Sequence, residues 1–267
     1  MTTNYELGIA SPDNALGLAH AVDLTGLTPA TVYHVKAFSD DGAVDTSFAG
    51  DLVVSSASPP ASTGQINVYF NKSVDNSISL GENALGNQDL ISRVSTRIDN
   101  ARRSIDLALY SLSASAYGDV VATHLIAAKN RGVSIRVICE ADNQNSAGSS
   151  FPTLSANGIP VINDKFDPVW FGAGLSHNKF FVFDGRGGAP ESIWVWGGSW
   201  NPTNSGTSQD RQNSIEIQDQ ALAGAYTMEF NQMWGSSTEV PNSAASDRKS
   251  TRLNSSHIQK SRMPSSA

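Results

Sequence analysis

SHNKFFVFD at residues 176–184 and GGSWN at residues 197–201 decide how the rest of the chain is read. The first stretch alternates as a strand does, and side chains two apart on a strand share a face. His177 and Lys179 therefore project together, while Asn178 and Phe180 point the other way. An imidazole beside an ammonium suits an oxyanion substrate: one attacks or shuttles a proton, and the other holds negative charge. Asp184 has the wrong parity for that face and opens the Asp184-Gly185 turn, so it reads as the residue that holds the hairpin. Ser199 and Asn201 are again two apart and offer a hydroxyl and an amide to phosphate oxygens, while Gly197 and Gly198 let the backbone approach closely.

Outward from these stretches the hydrophobic period switches between two and 3.6. Residues 66–70 (INVYF) and 104–110 (SIDLALY) read as strands, and between them residues 88–103 place Leu90, Ile91, Val94, Ile98 and Ala101 at helical spacing. Residues 117–130 read as a second amphipathic helix stopped by Arg131-Gly132. Residues 133–140 and 161–162 read as strands, residues 177–184 and 192–196 as a hairpin, and residues 218–234 as a closing helix. Strands alternating with helices predict an α/β layered domain over residues 65–238. Residues 1–58 read instead as β, with Tyr33, Val35 and Ala37 on one strand face and Leu52-Val53-Val54 as a further short strand. A Ser/Pro/Ala linker at 59–64 separates the two units, and a second linker is expected at 239–246.

His177, Lys179 and Asp184, followed by Gly198, Ser199 and Asn201, resemble the HKD signature of the phospholipase D superfamily, His-x-Lys-x4-Asp followed by Gly-Ser-x-Asn. The resemblance covers residues 65 to about 237. It implies a mixed sheet flanked by helices and a phosphodiesterase in which a histidine attacks phosphorus to form a covalent phosphohistidine, with no metal and no other cofactor. Lys179, Ser199 and Asn201 would then stabilise developing charge, with Gly198 and Trp170 as substrate contacts. Many members carry a later acidic residue that orients the histidine; Glu216 is the nearest candidate here and Asn213 the alternative. Thirteen residues lie between Asp184 and Gly198, more than the family usually has, and GRGGAPE reads as an enlarged hairpin tip.

The family's site uses two HKD motifs, one histidine as nucleophile and the other as general acid, and this chain has one. His20 and His34 lie in the β unit, His124 in a helix and His257 near the C-terminus. The expected partner is thus a second HKD half in a longer protein or a second copy in a homodimer. DLTGLTPATVYHVKAFSDDG at residues 23–42 resembles the later strands of a fibronectin type III module, with Leu27, Pro29 and Tyr33 in the places that pin a turn. Its opening strands are missing, so an incomplete N-terminus is expected. Family and module together imply an extracellular or cell-envelope location, although residues 1–10 show no signal peptide.

The chain has 267 residues, 39% hydrophobic and 16% charged, which fits a globular protein and not a disordered tail. Cys139 stands alone and cannot close an intramolecular disulfide, so it reads as a buried hydrophobe. No CxxC pair, Walker loop or GxSxG elbow argues for zinc, nucleotide or serine-hydrolase chemistry. The formal charge is −7, but DRKSTRLNSSHIQKSRMPSSA at residues 247–267 resembles a translated sequencing adapter. Without that segment 13 basic residues face 24 acidic ones, a charge of −11. Such acidity favours a phospholipid headgroup over nucleic acid and predicts no stable nucleic-acid complex. A phospholipase D-like endonuclease is the nearest alternative, and a non-catalytic extracellular binding or adhesion protein is the alternative of another class. Nothing in residues 247–267 is patterned to pack. Deleting them is expected to leave stability in urea unchanged within about 0.5 kcal/mol.

Overall fold

The computed structural model describes residues 24–246, except 37, 41–45, 49, 51, 82, 114–116 and 167–174. Trp170, His20, His257 and the 247–267 segment fall outside the described residues. Two short ribbons come first. Strand β1 (Val32–Val35) pairs antiparallel with β4 (Leu52–Ser55), and β2 (Phe38–Asp40) with β3 (Thr46–Phe48). Tyr33 Oη accepts a hydrogen bond from Thr28 N (2.8 Å), closing the turn that leads into β1.

The main sheet has seven strands: β5 (Ile66–Phe70), β6 (Ser104–Leu109), β7 (Ser134–Cys139), β8 (Val161–Asn163), β9 (Lys179–Phe183), β10 (Trp194–Gly198) and β11 (Asn213–Ile217). Their order is β5-β11-β10-β9-β6-β7-β8. Strands β6, β7 and β8 run parallel, and every other neighbour is antiparallel, so the sheet is mixed. Helices α1 (Leu90–Asn100), α2 (Gly118–Asn130) and α4 (Phe151–Ala156) bury Leu90, Val94, Ile98, Val121, Leu125 and Phe151 against Leu107, Phe181, Phe183 and Trp196 on one face. The short α3 (Ala141–Gln144) follows β7, and α5 (Gln220–Trp234) buries Phe230 and Trp234 against Phe180, Val182 and Val195 on the other face. This is the α/β layered domain with a mixed sheet that the sequence predicts.

Strand β6 is buried along its whole length, as a parallel strand covered on both faces must be. Its one charged residue, Asp106, is matched by Arg136 on β7 through two hydrogen bonds of 2.8 Å, with Arg186 alongside. Residues 59–64 are not a free tether. Ser58 and Ser62 hydroxyls accept hydrogen bonds from Ala221 N and Gln220 N (2.8 Å each), and so occupy the open amides at the start of α5.

Helix α1 is shorter than the 88–103 that its apolar spacing suggests. Asp89 caps the front by accepting from Ser92 N (3.2 Å). At the back, Arg102, Arg103 and Ser104 turn their amides to the Asp184 carboxylate, at 2.9, 2.6 and 3.1 Å, and no longer donate to helix carbonyls. Asp184 itself has φ +55°, in the left-handed region that Asp and Asn tolerate best after Gly. Its amide also donates to Ser104 O (2.7 Å). It therefore does more than hold its own hairpin, because it ties the end of β9 to the α1–β6 turn.

Asp184→Ala would leave up to three amides without their charged acceptor. The expected loss is about 3–5 kcal/mol in urea unfolding, since each unpaired buried donor costs about 1–3 kcal/mol. Asp184→Asn, which keeps an acceptor and tolerates the same backbone, should lose clearly less. Equal losses would count against this account.

Candidate active site

Strands β6 and β7 end side by side, and the chain leaves them at Tyr110 and Glu140. In a sheet with parallel strands, the carboxyl ends are where loops diverge and leave room for a ligand. Strand β9 begins at this same edge because it runs antiparallel to β6, with Lys179 paired to Leu109. His177 lies two residues earlier, held by the hydrogen bond from Tyr110 N to Asn178 O (2.7 Å). The parity read from the sequence places His177 and Lys179 on one side. Asn178 faces the other, where its amide nitrogen approaches Met233 of α5.

Tyr110 is the surface on which the pair is assembled. Its ring meets the His177 ring edge-on, with centroids 4.7 Å apart at 74°. The Lys179 ammonium sits 5.1 Å from the Tyr110 centroid and donates to the carbonyl of His177 (3.0 Å). Tyr110 is in turn fixed through its carbonyl, which accepts from Asn143 Nδ2 (2.9 Å). Glu140, buried, accepts a short hydrogen bond from Ser176 N and so anchors the backbone just ahead of His177. Burial lowers the His177 pKa below its ordinary 6.5, the Lys179 charge lowers it further, and Glu140 opposes both. Burial also lowers the pKa of Lys179. At neutral pH the imidazole is therefore uncharged, with a lone pair available for attack.

Strand β10 brings its own residues to this edge, one strand over from β9. Gly198 has φ +137°, and a Cβ there would lie 2.5 Å from Asn213 O, so only glycine fits. Ser199 is exposed, and its hydroxyl oxygen accepts from Asn213 N (3.1 Å), which leaves its own proton to donate. The Asn201 side-chain oxygen is buried and has no hydrogen-bond partner, so the fold does not use it up. Asp184 stands at the opposite end of β9 and takes no part in this cluster. Among the described residues, no three His, Cys, Asp or Glu side chains gather to hold a metal ion.

Glu216 does not reach His177. It lies on β11 opposite Trp196, and its carboxylate accepts from Tyr69 Oη (2.7 Å), Asn67 Nδ2 (2.9 Å) and both Arg97 Nε and a terminal guanidinium nitrogen (3.1 and 3.0 Å). Burial and this carboxylate push the Tyr69 pKa up to about 12, so the phenol stays a donor. Asn213 is exposed and makes no hydrogen bond to His177 either; its backbone is spent on Ser199. Tyr110 and Glu140 were not picked out from the sequence as site residues. The signal available was positional: each stands at the carboxyl end of an apolar strand of an α/β sheet.

The profile of the family described as "Cardiolipin synthase, PLD-like domain" matches residues 94–234. The chain belongs to this PLD-like family. The match takes in every site residue named above, from Tyr110 to Asn201. Curated relatives include the mitochondrial cardiolipin hydrolase of Xenopus tropicalis, 29% identical over 143 residues that make up 54% of this chain and 60% of that protein. A phospholipase D of Rickettsia conorii is 30% identical over 133 residues, 50% of this chain and 58% of that protein. The chain thus spans about 60% of the length of these relatives. Among solved structures, Nuc from Salmonella typhimurium, titled a phospholipase D family member, aligns at a TM-score of 0.47 and 22% identity over 64% of this chain and 93% of its own.

In this PLD-like domain the His177 ring is expected to titrate below pH 6.5 when followed by its Cε1 proton resonance. Glu140→Gln removes the one charge that favours the imidazolium and should move the midpoint lower still. A midpoint above 6.5, or an upward move in the variant, would contradict the electrostatics described.

Proposed function

We propose that this PLD-like domain cleaves a phosphodiester of a phospholipid, with His177 as the nucleophile and without a metal ion. The observation that carries the reading is the His177–Lys179 pair at the start of β9, packed on Tyr110 at the sheet edge where the neighbouring strand β10 ends in Gly198. A neutral imidazole nitrogen attacks phosphorus; the N–P bond forms as the P–O bond to the alcohol breaks. Lys179 and the free Ser199 proton meet the charge that builds on the non-bridging oxygens, and Asn201 adds its amide. The departing alkoxide takes a proton from a second histidine, which then accepts one from the water that cleaves the N–P bond. That second histidine comes from another HKD copy, in a longer chain or in a partner subunit. Lipid is favoured over nucleic acid by the chain's net negative charge and by its likeness to a cardiolipin hydrolase and a phospholipase D.

The test is turnover of bis-p-nitrophenyl phosphate and of phospholipid vesicles, each with and without EDTA, by a form of the protein that supplies the second HKD copy, since this chain as a monomer is expected to be nearly inactive. His177→Ala should lose at least about a thousandfold in rate, because the covalent route goes with the nucleophile. Cys139→Ser should change little, since the thiol is buried in the core. A His177→Ala protein that keeps more than a tenth of the activity would overturn the assignment. Cleavage of plasmid DNA in preference to lipid would move the reading to a nuclease.

A further inference from the structure

Residues 71–88 leave the end of β5 at the same edge of the sheet as His177 and Ser199, and form an arch whose neck is closely bonded. Phe70 N donates to Leu85 O, Gln88 N to Phe70 O and Asn87 N to Lys72 O, each at 2.9 Å. Higher up, Asn76 spans the two legs, its amide donating to Ala84 O (3.2 Å) and accepting from Ala84 N (3.0 Å). Asp75 starts the 3-10 turn Asn76–Ile78 by accepting from Ser77 N (2.9 Å). The base is braced on the segment that follows Asn201: the Asn71 amide donates to Thr207 O and Asp210 O (3.1 and 2.9 Å), and Gln212 N donates back to Asn71 Oδ1 (2.8 Å).

This well-bonded arch presents two aliphatic side chains to water. Ile78 is 79% exposed and Leu80 is fully exposed, with only Ser79 between them. A loop held by this many hydrogen bonds has no need of apolar residues at its tip, and folding gains nothing from them there. Leu175, two residues before His177, is likewise 64% exposed. Three inter-strand steps separate β5 from β9, or about 14 Å. Exposed aliphatic side chains therefore project beside both β5 and β9 along one edge of the sheet.

We propose that this edge docks on the surface of a neutral lipid bilayer, with Ile78 and Leu80 inserted below the headgroups and Leu175 as a second contact. The proposal deepens the reading of a phospholipid substrate and rests on it. Separated convex tips fit a deformable hydrocarbon layer, whereas a protein partner would need a shaped pocket for each. Asp75 and Glu82 border the tip in sequence, so attraction to anionic headgroups is not what drives contact. Among the described residues no helix is long and apolar enough to cross a membrane, and the contact is interfacial.

Flotation of the full chain with phosphatidylcholine vesicles tests this without any turnover. The wild type should float equally in low salt and in half-molar salt, because apolar insertion is not screened. The double variant Ile78→Ser/Leu80→Ser should lose at least about tenfold in vesicle partition, which is modest for two aliphatic side chains returned to water. Its turnover of soluble bis-p-nitrophenyl phosphate should match the wild type. A bimane probe on Leu80→Cys, with Cys139 buried and out of reach, should shift to the blue on adding vesicles. A wild type that stays with the aqueous phase, a double variant that floats as well, or a probe that does not move overturns the proposal. So does a mass by light scattering that halves in the double variant, which would give the tip to a second copy of the chain. If the protein turns over no phosphodiester yet floats through Ile78 and Leu80, the enzymatic reading alone has failed.

Discussion

The Asp184 carboxylate, gathering the amides of Arg102, Arg103 and Ser104, is the constraint on which the rest of the domain depends. It locks the end of β9 to the beginning of β6, and two antiparallel strands tied at one end have one register. A slip of one residue would turn His177 and Lys179 to the α5 side, because side chains alternate. With the register held, Lys179 meets Leu109 and Asn178 meets Tyr110 at the far end. Asp184 thus bears on the placement of His177 from the opposite end of the strand, through backbone geometry and not through contact.

Two kinds of charge coexist in the sheet and are kept apart. Asp106 with Arg136 is a buried pair and Glu216 is buried beside the part-exposed Arg97; in both, every charge has a partner of opposite sign and further hydrogen bonds. Such groups are expensive to take from water and become tolerable only when matched. At the edge that holds His177 and Lys179 the matching is incomplete. Among the described residues Lys179 meets a ring face and a carbonyl but no carboxylate, and none hydrogen-bonds the His177 ring. A cation without a counter-ion beside a neutral imidazole is what an anionic phosphodiester would complete.

The same edge carries the arch of residues 71–88, whose legs bond to the turn after Asn201. The proposed chemistry and the proposed surface contact would therefore share supports, with the neck of the arch setting how far β9 stands from whatever the tip enters. On these proposals, substrate delivery would depend on the fold of the β5–α1 connection.

By itself the sequence determined the class of the fold, because the switch between periods of two and 3.6 is local and needs no partner to be read. It determined likewise that His177 and Lys179 share a side, which follows from strand alternation alone. Tertiary structure decided what depends on register between distant strands. Glu216 has the right chemistry for a residue that orients a histidine, yet pairing with β5 gives its oxygens to Asn67 and Tyr69, and Arg97 of α1 takes the remainder. Tyr110 and Glu140 stand 67 and 37 residues before His177 and join it only because β6, β7 and β9 are neighbours. The length of α1 was set the same way, since an aspartate some eighty residues further along the chain outbids the helix for its last amides. Period and parity are properties of one segment; which carboxylate meets which donor is a property of how segments are stacked.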